Sequence, residues 1–299
     1  MLNHRNGTGE VTINRRTLLK AAAGMAGGVW ASAWLAEATA AESAGKIRIG
    51  SCRIGLPDAL KAGLDGVEIR VGGPADTLEV ADPAVRQKYK DEMKQTGLVI
   101  SSFMMGLLNT NPLASEPRGP AWLQQSIEAA QDLGAGVILV AFFGKGSLLE
   151  EDGQLKKADV DVVIKRVKAA APRAKQAGVI LALENTLSAK QNIEILERIG
   201  HESVAVYYDV GNSTRMGYDV PAEIRLLKDR IAMIHFKDGP NYLGEGEIKF
   251  EPIAAAIKDI GYQGWIVLET SNPSKDGVAD AKRNAEFICR LFGMRKEEQ

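Results

Sequence analysis

Val179-Ile-Leu-Ala-Leu-Glu184-Asn185 sets the reading of the whole chain: five apolar residues, then a carboxylate. Three runs downstream follow the same rule: Val204-Ala-Val-Tyr-Tyr-Asp209, Ile231-Ala-Met-Ile-His235 and Trp265-Ile-Val-Leu-Glu269. An uninterrupted apolar run is what a strand buried on both faces looks like, and the polar residue that ends it marks where the chain leaves the sheet. The four polar residues are separated by 25, 26 and 34 residues, about one strand-helix unit each. Parallel strands joined by such units bring their C-terminal ends to one side. Three carboxylates and an imidazole gathered there are a candidate divalent-metal site, with Glu184, Asp209, His235 and Glu269 as ligands. Taken singly, each residue is as well explained as the start of a solvated loop. Taken as four consecutive units, with one of only two histidines beyond residue 40, they are not.

The same alternation extends upstream. Strands are expected at 47–52, 66–71, 98–105, 136–142, 179–185, 204–210, 231–237 and 264–270. Helices are expected near 57–63, 83–96, 120–133, 159–177, 188–199, 220–229, 251–260 and 278–292. Pro57, Pro83, Pro120, Pro221 and Pro252 sit at or near helix starts, where a missing N–H costs nothing. Gly63, Gly97, Gly134, Gly178, Gly200 and Gly261 punctuate helix ends. Eight units over residues 46–293 predict a single (β/α)₈ TIM barrel, with 294–299 as a tail. An open doubly wound sheet fits less well, because Gly50-Ser-Cys-Arg-Ile-Gly55 after the first strand lacks the dinucleotide-loop spacing.

Residues 1–40 read as a targeting segment. Asn14-Arg15-Arg16-Thr17-Leu18-Leu19-Lys20 has the twin-arginine pattern, Ala21 to Ala36 is weakly apolar, and Ala38-Thr39-Ala40 is a small-x-small cleavage site. The apolar run is shorter than the ~20 residues a bilayer span needs. The expectation is export through the twin-arginine machinery to the periplasm, cleavage near Ala40 and no stable membrane span, with anchoring as the uncleaved alternative. The segment holds four basic and two acidic residues of the chain's 37 and 38, so the mature chain is mildly acidic. That balance offers nothing to nucleic acid. Cys52 and Cys289, far apart, form no disulfide framework and read as buried small hydrophobes.

Three carboxylates and one imidazole form a mostly hard ligand set, which favours Mn²⁺ or Mg²⁺, with Co²⁺ as a further alternative, over a thiolate zinc site. The ordered set Leu183-Glu184-Asn185, Asp209-Val-Gly-Asn212, His235-Phe-Lys237-Asp238, Gly244-Glu245-Gly246 and Leu268-Glu269 resembles the sugar isomerase/epimerase group with xylose-isomerase-like barrels. That group includes ketose 3-epimerases and pentulose-phosphate 3-epimerases. The resemblance covers most of 46–293 and is strongest over 179–271. It implies one divalent metal on Glu184, Asp209, His235 and Glu269, with Glu184 and Glu269 also acting as the catalytic proton-transferring pair. A proton beside a ketose carbonyl is too weakly acidic to leave unaided; a divalent ion on the carbonyl and neighbouring hydroxyl stabilises the enediolate. Carboxylates on its two faces then exchange the proton, giving epimerisation, or isomerisation when it returns to the adjacent carbon.

Departures from the resemblance bear on the substrate. Free-ketose enzymes of the group carry His where Asn212 stands, Glu where Lys190 stands and Arg where Asn241 stands. The motif around Asp209 looks closer to the pentulose-5-phosphate branch, yet an exported enzyme rarely meets sugar phosphates. The substrate is therefore left as a small sugar or sugar derivative. Four residues are candidates for binding it: Glu68 at the end of the second strand, Asn185, Asn212 and Lys237. Glu68 reads equally well as half of a buried ion pair with Arg70. The loop 109–119 is either a lid over the mouth or an ordinary surface loop. A lyase or hydrolase on the same barrel and an exported sugar-binding protein are the competing readings. A trinuclear zinc nuclease is set aside, because it needs more histidines. A homo-oligomer is compatible with all of these.

Overall fold

The alternation of apolar runs and amphipathic segments produces a closed ring of eight parallel strands in sequence order. The computed structural model describes residues 47–294. The expected targeting segment 1–40 and all but the first residue of the expected tail 294–299 lie outside them. The strands are β1 (Arg48–Ser51), β2 (Gly66–Arg70), β3 (Val99–Met105), β4 (Val137–Ala141), β5 (Ile180–Glu184), β6 (Val204–Asp209), β7 (Ile231–Phe236) and β8 (Trp265–Leu268). β1 pairs with β8, Arg48 opposite Trp265 and Ser51 opposite Leu268, which closes the ring. The TIM barrel expected from the sequence is the architecture found, with strand ends one or two residues shorter.

The outer layer is α1 (Leu56–Lys61), α2 (Pro83–Thr96), α3 (Gly119–Leu133), α4 (Lys157–Ala177), α5 (Ala189–Ile199), α6 (Val210–Arg215), α7 (Val220–Leu227), α8 (Phe250–Asp259) and α9 (Gly277–Phe292). Their starts and stops follow local chemistry. The Asp82 side chain caps α2 by accepting from Ala84, and Ser188 and Gln191 form a reciprocal capping box on α5. Helices α2 to α5 end on left-handed glycines. The unexpected element is α6. Its sequence, Val-Gly-Asn-Ser-Thr-Arg, has no apolar stripe; it forms because the Asp209 side chain accepts the Asn212 N–H at 2.5 Å.

Two apolar layers result. One lies between strands and helices. The other fills the barrel and includes Leu139, Ala141, Ala182, Tyr207, Met233, Trp265 and Val267. Trp265 seals the floor with the Arg48 guanidinium stacked 4.3 Å over its ring. Gly66 is required there, since a Cβ would run into the Val99 carbonyl and the indole. The inward positions explain the mouth. Side chains alternate along a strand, so the inward residues after Ala182, Tyr207, Met233 and Val267 are Glu184, Asp209, His235 and Glu269. Loop 109–119 is pinned rather than draped over the mouth. Leu113 is buried, and Arg166 on α4 donates to the carbonyls of Leu113 and Glu116 at 2.6 and 2.5 Å.

Candidate metal centre

The four inward strand ends meet. Ligand-capable atoms of Glu184, Asp209, His235 and Glu269 all lie within 4.8 Å of one another. Asp209 and His235 stand directly opposite each other in the β6–β7 ladder. Glu269 lies one residue beyond β8, tethered by its own N–H to the Phe236 carbonyl at 3.1 Å. His235 Nδ1 faces the cluster, 2.9 Å from Glu184 Oε1, 3.7 Å from Asp209 Oδ2 and 3.8 Å from Glu269 Oε2. The opposite ring nitrogen, Nε2, lies 3.1 Å from Glu68 Oε1. The Tyr207 ring packs against the imidazole at 4.4 Å. Glu68 and Tyr207 thus fix His235, and its Nδ1, within hydrogen-bond distance of Glu184, is the nitrogen turned toward the carboxylate cluster.

The electrostatics follow from burial. Burial, reinforced by Asp209 and Glu269 and opposed by His235, pushes the Glu184 carboxyl up to about 7. Burial raises Asp209 as well, against the pull of Lys237 and His235. For His235 burial works downward, but the Glu68 and Glu184 carboxylates outweigh it and hold the ring well above its ordinary value. Glu269 ends up lowered: burial opposes this, and the charges of His235 and Lys237 prevail.

This is a site that fits a divalent cation. Asp209 Oδ2 is buried and accepts no hydrogen bond; the Lys237 ammonium stands 3.0 Å away as a charge, without the geometry of a donor. One ammonium does not balance three carboxylates crowded together out of water, and a divalent cation among them would. Three carboxylates and one imidazole nitrogen are donors of the kind that Mn²⁺, Mg²⁺ or Co²⁺ accept.

Comparison with known proteins gives the family. Residues 56–291 match the family model described as the xylose isomerase-like TIM barrel. The chain belongs to that family. It is 28% identical, over 77% of its length and 91% of the relative's, to a putative L-ribulose-5-phosphate 3-epimerase of Escherichia coli. It is 25% identical to a 2-epi-5-epi-valiolone 7-phosphate 2-epimerase of an Actinoplanes species, over 64% of this chain and 74% of that one. Among solved structures, an L-ribulose 3-epimerase superimposes with a TM-score of 0.69 at 24% identity, covering 83% of this chain and 95% of the other. The matches make this member of the family an enzyme, with epimerases as its relatives.

The residues expected to bind substrate are placed as follows. Glu68 does not reach the mouth: it is 4% exposed, one oxygen faces His235 and the other accepts from the Ser102 hydroxyl at 2.7 Å. It sits where the partner of a ligating imidazole belongs, and Arg70 beside it is exposed instead of paired with it. Asn185 spends its amide on Asn192 and the Leu187 N–H, bracing the turn into α5. The Asn212 carbonyl oxygen accepts from Arg215 at 2.6 Å. Lys237 does reach the cluster, its Nζ 2.6 Å from Glu269 Oε2. Its stem crosses Gly211, where a Cβ would come within 2.5 Å of Lys237 Cγ. Burial works against the Lys237 charge, but Asp209 and Glu269 raise it.

Ser102 and Tyr207 went unmarked in the sequence. Both are inward positions of their strands, and the period-two count that finds Asp209 also finds Tyr207 two residues earlier. Cys52 comes close to Glu68 and His235, but burial pushes its thiol strongly upward and its Sγ points to the Leu268 carbonyl at 3.5 Å. It stays a thiol.

Proposed function

We propose that this enzyme is a divalent-metal-dependent epimerase of a ketose or ketose-derived sugar, moving a proton at the carbon beside the carbonyl. The observation that supports it most is the convergence of Glu184, Asp209, His235 and Glu269 on one centre, with a glutamate from β5 and one from the end of β8 on it. Two carboxylates on one centre are what a proton exchange beside a carbonyl needs. A bound Mn²⁺, or Mg²⁺ or Co²⁺ in its place, supplies a Lewis acid for the substrate oxygens. Glu184 and Glu269 carry the proton. Lys237 holds Glu269 in its rotamer, and Glu68 and Tyr207 hold His235. Isomerisation uses the same pair when the proton returns to the neighbouring carbon.

The test is solvent exchange. Protein stripped with chelator is expected to catalyse no deuterium wash-in from D₂O into sugar substrates, and Mn²⁺ to restore it. Glu269→Gln is expected to lower kcat by about 10² to 10⁴ with thermal unfolding little changed. Wash-in that survives chelation sinks the reading. We also propose export to the periplasm through the twin-arginine machinery, on the strength of Arg15-Arg16 and Ala38-Thr39-Ala40. A mature chain beginning just after Ala40, lost from the periplasmic fraction when both arginines become lysines, supports this; retention in the cytoplasm of the unaltered chain overturns it.

A further inference from the structure

Lys237 brings a cationic side chain to the four candidate ligands, by a route the backbone keeps open. Its stem runs across Gly211 in α6, where a Cβ would lie 2.5 Å from Lys237 Cγ, 3.1 Å from Cε and 3.2 Å from Cδ. A side chain at 211 would push the stem aside. The ammonium ends 3.0 Å from Asp209 Oδ2 and 2.6 Å from Glu269 Oε2, on a side chain that is 21% exposed.

Neither oxygen is surplus to the cluster. Asp209 Oδ1 already accepts the Asn212 N–H that starts α6. Oδ2 is therefore the oxygen Asp209 has left for a cation, and it accepts no hydrogen bond. Glu269 Oε2 is the oxygen that faces His235 Nδ1, at 3.8 Å. The lysine thus engages one oxygen from each of two of the four ligands.

We propose that Lys237 is a built-in competitor of the metal: its ammonium and the divalent ion contend for Asp209 Oδ2 and Glu269 Oε2, so that the barrel folds without the ion and takes it up reversibly by displacing the lysine. The inference rests on the metal-dependent reading and adds how uptake at that same site is regulated.

The physical argument is charge. Three carboxylates whose oxygens lie within 4.8 Å of one another repel when taken out of water, and a positive charge beside them lowers that cost. In chelated protein the ammonium does this. A divalent ion does it better, with two charges and contacts to all four side chains, but two cations gathered on the same oxygens repel each other. The displaced lysine has room to withdraw. Its side chain also lines a cleft of about 680 Å³ between α6 and the loop that follows β7, where Glu247 offers another carboxylate. A lysine that only braces Glu269 predicts the opposite: without it the glutamate is looser and the ion binds more weakly.

The experiment titrates chelator-stripped protein with Mn²⁺ alone, by calorimetry, and follows urea unfolding with and without saturating Mn²⁺. Lys237→Met keeps most of the stem and removes the charge. It is expected to bind Mn²⁺ about tenfold more tightly than the wild-type protein. Its urea midpoint is expected to lie below that of wild type when chelated, and to match or exceed it when saturated. Gly211→Ala keeps the ammonium and crowds its stem off the carboxylates. It is expected to tighten Mn²⁺ binding about threefold, and it carries the test should Lys237→Met not fold. Unchanged or weakened affinity in either folded variant overturns the inference and leaves the epimerase reading standing. A chelated midpoint that is unmoved or raised in Lys237→Met overturns it as well. Wild-type protein that takes up no Mn²⁺ overturns the metal-dependent reading itself.

Discussion

Strand β8 begins on Trp265 and runs out at Glu269, and the two ends of this short segment obey opposite rules. At the floor, a large ring is packed by Arg48 and admitted by the bare backbone of Gly66. At the mouth, Glu184, Asp209 and Glu269 are crowded round one imidazole, and Asp209 Oδ2 accepts no hydrogen bond. The floor is arranged for stability. The mouth gives stability up, because carboxylates desolvated side by side are held by the fold around them and not by each other.

The sharpest way to break this contrast is at the floor. Trp265→Ala is expected to cost about 3 to 5 kcal/mol in urea unfolding, because it empties the barrel and leaves the Arg48 guanidinium unstacked. Metal affinity of the molecules that remain folded should change little. If unfolding free energy is unmoved, the floor does not carry the load assigned to it.

At the mouth, Glu68→Gln tests the support behind the imidazole. Losing the carboxylate on Nε2 is expected to weaken Mn²⁺ binding about 10- to 100-fold, read by calorimetric titration. Wild-type affinity in that variant would place Glu68 outside the metal's support.

The third test is pH, and its sign follows from burial. In chelated protein, Glu184 is raised from 4.5 to about 7, and Asp209 and His235 are raised too. Groups that hold protons more tightly when folded contribute most below their unfolded pKa and lose that contribution as pH climbs through the folded one. Glu269, lowered, offsets part of the effect. The urea midpoint of chelated protein is therefore expected to fall between pH about 4.5 and 7, and Mn²⁺ to flatten the slope. A midpoint that rises over that window contradicts the assignment.

What the sequence disclosed and what it hid divide along the same line. Apolar runs ending in Glu184, Asp209, His235 and Glu269 were readable because a buried strand and its period of two leave a pattern in residue type alone. Glu68 was readable as a strand end and not as the partner of His235. The neighbour it meets depends on the register shift in the β2–β3 ladder, which skips Ser101 and sets Ser102 opposite Glu68, and no residue type announces it. Helix α6 was invisible because a single side-chain cap makes it, without an apolar stripe. Asn185 and Asn212 looked like substrate amides because an Asn beside a metal ligand offers the right groups; in place, the Asn185 amide engages Asn192 and the Leu187 N–H, and the Asn212 amide oxygen accepts from Arg215.

The β1–β8 seam has a consequence for synthesis. A nascent chain displays Glu184, Asp209 and His235 well before Trp265 to Glu269 leave the ribosome, and the ring cannot shut until that last strand finds the first. The four side chains can therefore meet only once the last strand has been made, and a product truncated ahead of residue 265 lacks both Glu269 and the strand that closes the ring.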